Sequence, residues 1–217
     1  MIKTYLTVIA VLFFSLPMLA QQPAKTLFNN IPDRLCPTLT KVNRADFIDF
    51  MESNMRAVVT DRFNTSCEMT NLTSDYLKIQ LTEKSSWEMK VLPVNDSTQV
   101  VCTINTYAAP VADSKVSFYD TDWNELETSA FLTLPESADA FVCTEKIEQK
   151  EQFERLYKHI DMLLMQAQLN EADTSLKLTL TTPDYIEKET AEKLEPFLRR
   201  NITFVWNEGR FMPSIEQ

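Results

Sequence analysis

The stretch Leu77-Lys-Ile-Gln-Leu-Thr82 alternates apolar and polar side chains, which is the period of a β-strand with one buried face. The same period of two extends outward from it through the segment from Cys67 to Leu126. Asn95-Asp-Ser97 interrupts this segment as a cluster of turn-forming residues, and the apolar run Val100 to Ile104 follows. Strands joined by tight turns are therefore predicted to dominate this part of the chain.

Two other segments have the apolar spacing of helices. Asn43 can cap a helix over about 44–60, in which Phe47 and Met51 lie on one apolar face. A second helix is predicted from Glu145 to His159. Helices and strands in separate runs predict an α+β fold, with antiparallel sheets of hairpins or meanders and helices packed on one face.

Changes in composition give the domain boundaries. Residues 21–42 hold three of the ten prolines and show no apolar period, which predicts an extended arm or linker. Residues 43–217 then form the α+β domain. Its halves, about 43–134 and 145–217, each place a helix before hairpin strands, so two tandem repeats are one interpretation. Chance similarity between alternating strands is the other.

The first 20 residues have the pattern of a secretory signal peptide. Lys3 precedes an apolar run from Tyr5 to Leu16, and Ala20 closes the segment. That run is shorter than the ~20 residues of a membrane-spanning helix, although a membrane anchor is the alternative interpretation. We therefore predict an exported protein, periplasmic or at the cell surface, that does not insert in the membrane after cleavage.

The charge of the chain limits its partners. The formal net charge is −10, and removal of residues 1–20 takes away only Lys3 among charged residues, which leaves −11. An acidic surface repels phosphate backbones and anionic head groups, so nucleic acid is excluded as an expected partner.

The four cysteines are Cys36, Cys67, Cys102 and Cys143, and no pair has the two-residue spacing of a zinc knuckle or redox motif. In an exported protein they allow three disulfide pairings, among which the sequence does not choose. Buried free thiols are the alternative, because free cysteine packs as a small hydrophobic residue.

A scarcity of glycine and histidine excludes many familiar catalytic motifs. The chain contains one glycine, Gly209, and one histidine, His159. Phosphate-binding loops, dinucleotide fingerprints and nucleophile elbows each need several glycines. His159 is predicted on the polar side of its helix, and Gly209 in Asn207-Glu-Gly-Arg210 predicts a hairpin turn with positive φ. No catalytic residue can be named, and no cofactor is predicted.

The segment Asp120-Thr-Asp-Trp-Asn124 has the alternating oxygen ligands with which a loop wraps calcium. An EF-hand loop needs glycine and glutamate where this chain has Glu125 and Phe131, so no metal is predicted here. Aspartate and asparagine also favour plain turns, because they bond their own backbone.

The same segment supplies the predicted binding residues. Trp123 lies in a polar turn, which favours an exposed ring, and Tyr119, Asp120 and Asp122 accompany it. Core packing is the commoner fate of aromatic residues near strands. The 31 acidic residues single out no carboxylate pair of the kind that glycosidases use.

Several stretches make the chain similar to a family of uncharacterised exported proteins of Bacteroidales, known as a domain of unknown function. They are Leu39-Thr, Arg44, Asp46-Phe-Ile-Asp-Phe50, Asp75-Tyr-Leu, Glu88-Met-Lys-Val-Leu92, Asp96-Ser, Phe118-Tyr-Asp-Thr-Asp-Trp123, Pro196-Phe-Leu, Trp206 and Arg210-Phe211. The resemblance implies a bacterial envelope setting and brings no assigned catalytic residue.

The sequence favours a non-catalytic module that binds an unknown protein or glycan at the cell envelope. The alternative is a carboxylate-dependent hydrolase acting on glycans or peptides, which requires a cleft that holds two acids, at least one with a raised pKa. A calcium-stabilised structural module is the third hypothesis.

Overall fold

The computed structural model describes residues 21–147 and 150–214. The predicted signal peptide at 1–20 lies outside the described residues. The helices are α1 (Ala24–Asn29), α2 (Lys41–Glu52), α3 (Thr128–Phe131), α4 (Lys150–Tyr157) and α5 (Lys188–Leu194). The first seven strands are β1 (Ala57–Thr60), β2 (Ser66–Leu72), β3 (Tyr76–Thr82), β4 (Ser85–Pro93), β5 (Gln99–Ala108), β6 (Ala112–Tyr119) and β7 (Glu125–Leu126). The last four are β8 (Met165–Leu169), β9 (Ser175–Leu180), β10 (Asn201–Asn207) and β11 (Arg210–Pro213).

The strands form two antiparallel meanders. β1 to β7 make a seven-stranded sheet in chain order, and β8 to β11 make a four-stranded sheet, also in chain order. Within each sheet, each strand pairs with the next along the chain, so short turns fix most of the register. The prediction of an α+β fold with antiparallel meanders is confirmed. Among the described residues, no helix is both long and apolar enough to cross a bilayer.

The first sheet is covered on both faces, which creates two hydrophobic cores. The helix-side core lies beneath α1 and α2 and includes Phe28, Phe47, Leu77, Met89 and Val101. The inter-sheet core lies against the second sheet and includes Cys102, Ile104, Phe118, Leu178 and Trp206. Neighbouring residues of β5 alternate between the two cores, as the pleat of a strand requires. The central strands therefore bury both sets of side chains.

The predicted helix over about 44–60 is wrong at both ends. It begins at Lys41, because Thr40 is the N-cap and exchanges hydrogen bonds with Asn43: Thr40 Oγ1 accepts from Asn43 N at 3.1 Å. It ends at Glu52, and Asn54 follows in the left-handed region with φ of 54°. The β-branched residues after it form β1, which pairs with β2.

The segment 21–42, predicted as an extended arm, instead contains α1 and contributes to the helix-side core. Ala24, Leu27, Phe28 and Ile31 recur at helical spacing, and none is more than 2% exposed. The loop that follows is held by the buried Arg44, whose Nη1 donates to the Leu39 carbonyl at 2.8 Å. The prolines flank these contacts and do not keep the segment away from the domain.

Trp123 fixes α1 against the end of the first sheet. Its indole Nε1 donates to the Leu27 carbonyl oxygen at 3.2 Å, and its own carbonyl accepts from Arg34 Nη2 at 3.0 Å. The ring packs against Tyr119 with 5.5 Å between centroids. Trp123 has a φ of 65°, which is unfavourable for a bulky residue, so these contacts compensate a strained backbone.

Gly209 occupies the turn that was predicted for it. Glu208 and Gly209 join β10 to β11 with φ values of 47° and 83°, the positive angles of a two-residue hairpin turn. The two meanders differ in size, with seven strands and four. The tandem repeat over 43–134 and 145–217 stays a prediction.

Replacement of Trp123 by Phe should destabilise the protein by about 1 kcal/mol more than replacement of Trp87 by Phe. Both rings lie in the helix-side core, but only the Trp123 ring donates a hydrogen bond among the described residues. Urea unfolding of the two variants measures the difference. Equal losses of unfolding free energy would mean that the bond to Leu27 does not stabilise α1.

Candidate functional site

The segment Asp120–Asn124 forms a self-bonded turn. Asp120 Oδ1 accepts from the backbone N–H groups of Asp122 and Asn124, both at 2.9 Å, and Oδ2 accepts from Asn124 Nδ2 at 2.8 Å. Burial acts to raise the pKa of Asp120, but these hydrogen bonds hold it below its usual value. The carboxylate is used by the turn. In the described part of the chain, no group of three or more His, Cys, Asp or Glu residues could hold a metal.

The predicted binding face of Tyr119, Asp120, Asp122 and Trp123 is wrong for its aromatic members. Trp123 is 2% exposed and Tyr119 is 8% exposed, because both rings pack in the helix-side core. Of the four, only Asp122 is exposed, and Asp120 is half-buried. The polar residues of the turn form hydrogen bonds with one another. The Trp123 ring is therefore free to lie inward, where it covers α1.

His159 is exposed in the turn after α4, as predicted, although the helix itself is shorter than 145–159. The four cysteines are free thiols, three of them buried. Burial raises the pKa of Cys67 to about 11 and also raises the pKa of Cys36 and of Cys102. Such thiols are poor nucleophiles at neutral pH.

A polar cleft of about 410 Å³ lies where the two sheets meet, and we call it the inter-sheet cleft. Its lining residues are Asn71, Tyr76, Lys78, Gln168, Leu169, Asn170, Glu171, Ser175, Lys177 and Thr203. One wall is a row across the second sheet, in which Lys177 is paired with Gln168 on one side and Thr203 on the other. The other wall includes the cross-strand pair of Asn71 and Lys78.

The cleft is built over a buried carboxylate, that of Glu88 on β4. Its Oε1 accepts from Lys78 Nζ at 3.0 Å, and its Oε2 accepts from Tyr76 Oη at 3.3 Å and from the Leu169 backbone N–H at 3.1 Å. The side chain of Glu88 is 3% exposed. A carboxylate at this depth needs several donors, and these groups supply them.

Lys90 lies two residues further along β4 and is a second buried charged residue beneath the cleft. Its Nζ lies 3.0 Å from Asp75 Oδ2, donates to the Glu171 carbonyl at 3.2 Å and lies 5.6 Å from the centre of the Tyr76 ring. The side chain of Glu171 in turn accepts from Asn71 Nδ2 at 2.9 Å. The turn between β8 and β9 is thereby attached to the first sheet.

Side chains of the first sheet also bond the free edge of β8. Met165 N donates to Asp113 Oδ1 at 3.1 Å, and Ala167 N donates to Ser114 Oγ at 3.0 Å. These two bonds and the bond from Leu169 to Glu88 give a partner to every second N–H group along this edge. An edge strand that is covered in this way cannot pair with another chain through those groups.

The buried groups beneath the cleft are not available as acids or bases. Both oxygens of Glu88 are hydrogen-bonded, and burial, followed by the nearby Glu88 charge, raises the pKa of Tyr76. Each carboxyl group in the described residues whose pKa is shifted has a lowered value: Asp33, Glu68, Asp120, Asp139, Asp173 and Glu189. The raised carboxyl pKa that the hydrolase hypothesis requires is not among these shifts.

Sequence reasoning missed the buried residues Glu88 and Lys90, although a signal was present. Met89, Val91 and Leu92 are apolar, yet Glu88 and Lys90 alternate with them inside one strand. In a sheet with one solvated face, such charges simply point to water. The charged positions become informative only when a second sheet is known to cover that face.

Replacement of Glu88 by Gln should lower the free energy of unfolding by about 2–3 kcal/mol, because an amide cannot accept from every donor around it. Replacement of Glu68 by Gln is the matched control. Glu68 pairs with Arg56 at 2.7 Å at the surface of β2, where solvent screens the pair, so its loss should be much smaller. Amide hydrogen exchange at Leu169 should also accelerate in the Glu88 variant. Equal effects of the two variants would contradict the structural role assigned to Glu88.

Comparison with known proteins supports the resemblance to a domain of unknown function. The chain is similar in structure to a domain of an uncharacterized protein from Porphyromonas gingivalis W83, with a TM-score of 0.75 and 24% identity. The similarity covers 88% of this chain and 98% of that chain, and at this identity it shows the fold alone. None of the curated proteins matches the chain. Residues 16–211 match the family described as "Protein of unknown function (DUF3256)". Because that match covers most of its length, the chain belongs to the DUF3256 family.

Proposed function

We propose that this protein is an exported, non-catalytic module that binds a glycan in the inter-sheet cleft. The observation that carries the proposal is the polarity of the cleft. Of its lining residues, Leu169 alone has a purely hydrocarbon side chain, and the others carry amide, hydroxyl, ammonium or carboxylate groups. Sugars present many hydroxyl groups and are bound through such side chains.

A protein partner fits the cleft less well. The centre of a protein interface is usually apolar and rich in exposed aromatic residues. Tyr76 is the aromatic residue of the cleft, and it is only 3% exposed because its ring lies beneath Lys90. The volume of the cleft, about 410 Å³, lies in the range of small-molecule and oligosaccharide-sized sites.

The rigid floor of the cleft supports recognition without chemistry. Glu88, Lys90 and Tyr76 are buried and bonded to one another or to neighbouring backbone, so they hold the walls in place. A site whose side chains are already positioned loses little conformational entropy when a ligand binds.

A glycan array followed by titration of the best ligands tests this proposal. The wild-type protein should bind at least one glycan saturably. Gln168→Trp, which fills the cleft from one wall, should weaken binding by about tenfold or more, equivalent to ~1.4 kcal/mol. Gln166→Trp is the matched control, because Gln166 lies on the same strand and face but does not line the cleft.

The control should bind within about twofold of the wild-type affinity. If no glycan binds saturably, or if Gln168→Trp binds as well as Gln166→Trp, the cleft is not a glycan site. A protein ligand that Gln168→Trp excludes would replace the glycan proposal with the protein alternative.

Export is the second part of the proposal, and it is supported by the sequence of residues 1–20. The protein isolated from its native cells should begin near Gln21, and it should be released with the periplasmic or surface fraction. Intact-mass measurement gives the N-terminus directly. A cell-derived protein that retains Lys3 and the apolar run after it would contradict cleavage.

A further inference from the structure

The walls of the inter-sheet cleft carry polar groups that the fold does not use. Lys177 makes no hydrogen bond or ion pair with any residue that the structure describes, and its side chain is exposed. The amide of Gln168 and the hydroxyl of Thr203, on either side of Lys177, are likewise unbonded among the described residues. An ammonium group has three N–H donors and no acceptor, whereas a glutamine amide and a threonine hydroxyl can both donate and accept.

Lys78 adds donors from the opposite wall. One of its N–H groups is used by Glu88, and its side chain is 25% exposed, so the rest of the ammonium group remains open to the cleft. Two of the groups with capacity left, the ammonium groups of Lys177 and Lys78, can therefore only donate and carry positive charge. A ligand that matches them presents acceptors, and a carboxylate is the acceptor that an ammonium group favours.

The carboxylate among the lining residues, that of Glu171, lies at one end of the cleft. Glu171 has one carboxylate oxygen held by Asn71, and its other oxygen makes no bond among the described residues. That oxygen can accept from a sugar hydroxyl, but it repels a second anion placed beside it. This arrangement favours a ligand with hydroxyl groups at one end and a negative charge at the other over a simple inorganic anion.

We infer that the glycan bound in the inter-sheet cleft is an acidic one, whose sugar carboxylate lies between Lys177 and Lys78. The inference rests on the proposed function. Lys177 is the residue that distinguishes acidic from neutral sugars, because Lys78 is already paired with Glu88. Asn71 and Glu171 bind the hydroxyl groups of the same sugar. The formal net charge of the chain is −10, so the molecule as a whole does not attract an anion. The two lysines recognise the carboxylate locally.

The test is a glycan array in which each uronic-acid or sialic-acid glycan is printed beside its methyl ester, with sulfated glycans as a separate arm. The ester keeps the sugar skeleton and removes the charge. The acid should bind about tenfold or more tightly than its ester. Binding of the acid should also weaken as the salt concentration rises, because salt screens the ion pair.

Variants then test whether Lys177 is responsible for the preference for acids over esters. Lys177→Gln should bind acid and ester about equally, whereas Lys177→Arg should keep the preference for the acid. The matched control is Lys115→Gln, because Lys115 is also an exposed strand lysine without an ion pair among the described residues, and it lies outside the cleft. That control should keep the full preference. Circular dichroism and urea unfolding check that each variant is folded.

The outcomes separate this inference from the proposed function. If esters or neutral glycans bind as tightly as the acids, and Gln168→Trp still blocks them, the cleft binds glycans and the inference is wrong. A preference for acids that survives in Lys177→Gln also overturns it. Binding confined to the sulfated arm would replace the carboxylate with a sulfate. If no glycan binds, both fail together.

Discussion

The hydrogen bond between the Leu169 N–H and the Glu88 carboxylate is the contact on which the arrangement of the two sheets depends. Each group has a requirement that the other meets. Leu169 lies on the edge strand β8, whose outward N–H groups have no neighbouring strand, and Glu88 is a carboxylate that is almost fully buried on β4. An apolar residue at position 88 would leave the Leu169 N–H without its partner, and a solvated edge at β8 would take away one of the three donors to the buried carboxylate. The sheets therefore meet at one position and in one register.

The other polar contacts of the junction follow from this one. Once Glu88 is buried, Lys78 and Tyr76 on the neighbouring strand lie within reach of its oxygens. Lys90 lies on the same face of β4 two residues away, so it must also find partners, and it takes them from Asp75 and the Glu171 backbone. A buried polar group of this kind adds little net stability compared with apolar packing, but it penalises every other arrangement of the sheets. The inter-sheet cleft is the space that remains beside the group, which explains why its floor is charged and its walls are polar.

Much of the fold could be predicted from local patterns, whereas the site could not. Alternation around Leu77 predicted the strands, and Asn207-Glu-Gly-Arg210 predicted its hairpin, because both signals involve residues close in the chain. The apolar spacing predicts that the helix continues through Val58 and Val59, whereas their pairing with β2 makes them a strand. The polar residues beside Trp123 favour an exposed ring, and only the position of α1 shows that the ring is covered. Glu88 and Leu169 are separated by 81 residues, so no local pattern connects them.

The buried carboxylate of the junction, that of Glu88, is not free to act as a catalytic group. A general acid or base must exchange a proton during turnover, so at least one of its oxygens has to be available to the reacting atoms. Both oxygens of Glu88 bond groups whose loss would loosen the sheets, so a change in its protonation would disturb the fold before it could assist a reaction. The groups that are not used by the fold, Lys177 and Gln168 above all, lie on the exposed face of the second sheet. The protein thus separates the polar groups that hold its sheets together from those that make no bond within the fold, and the proposed glycan binding uses only the second set.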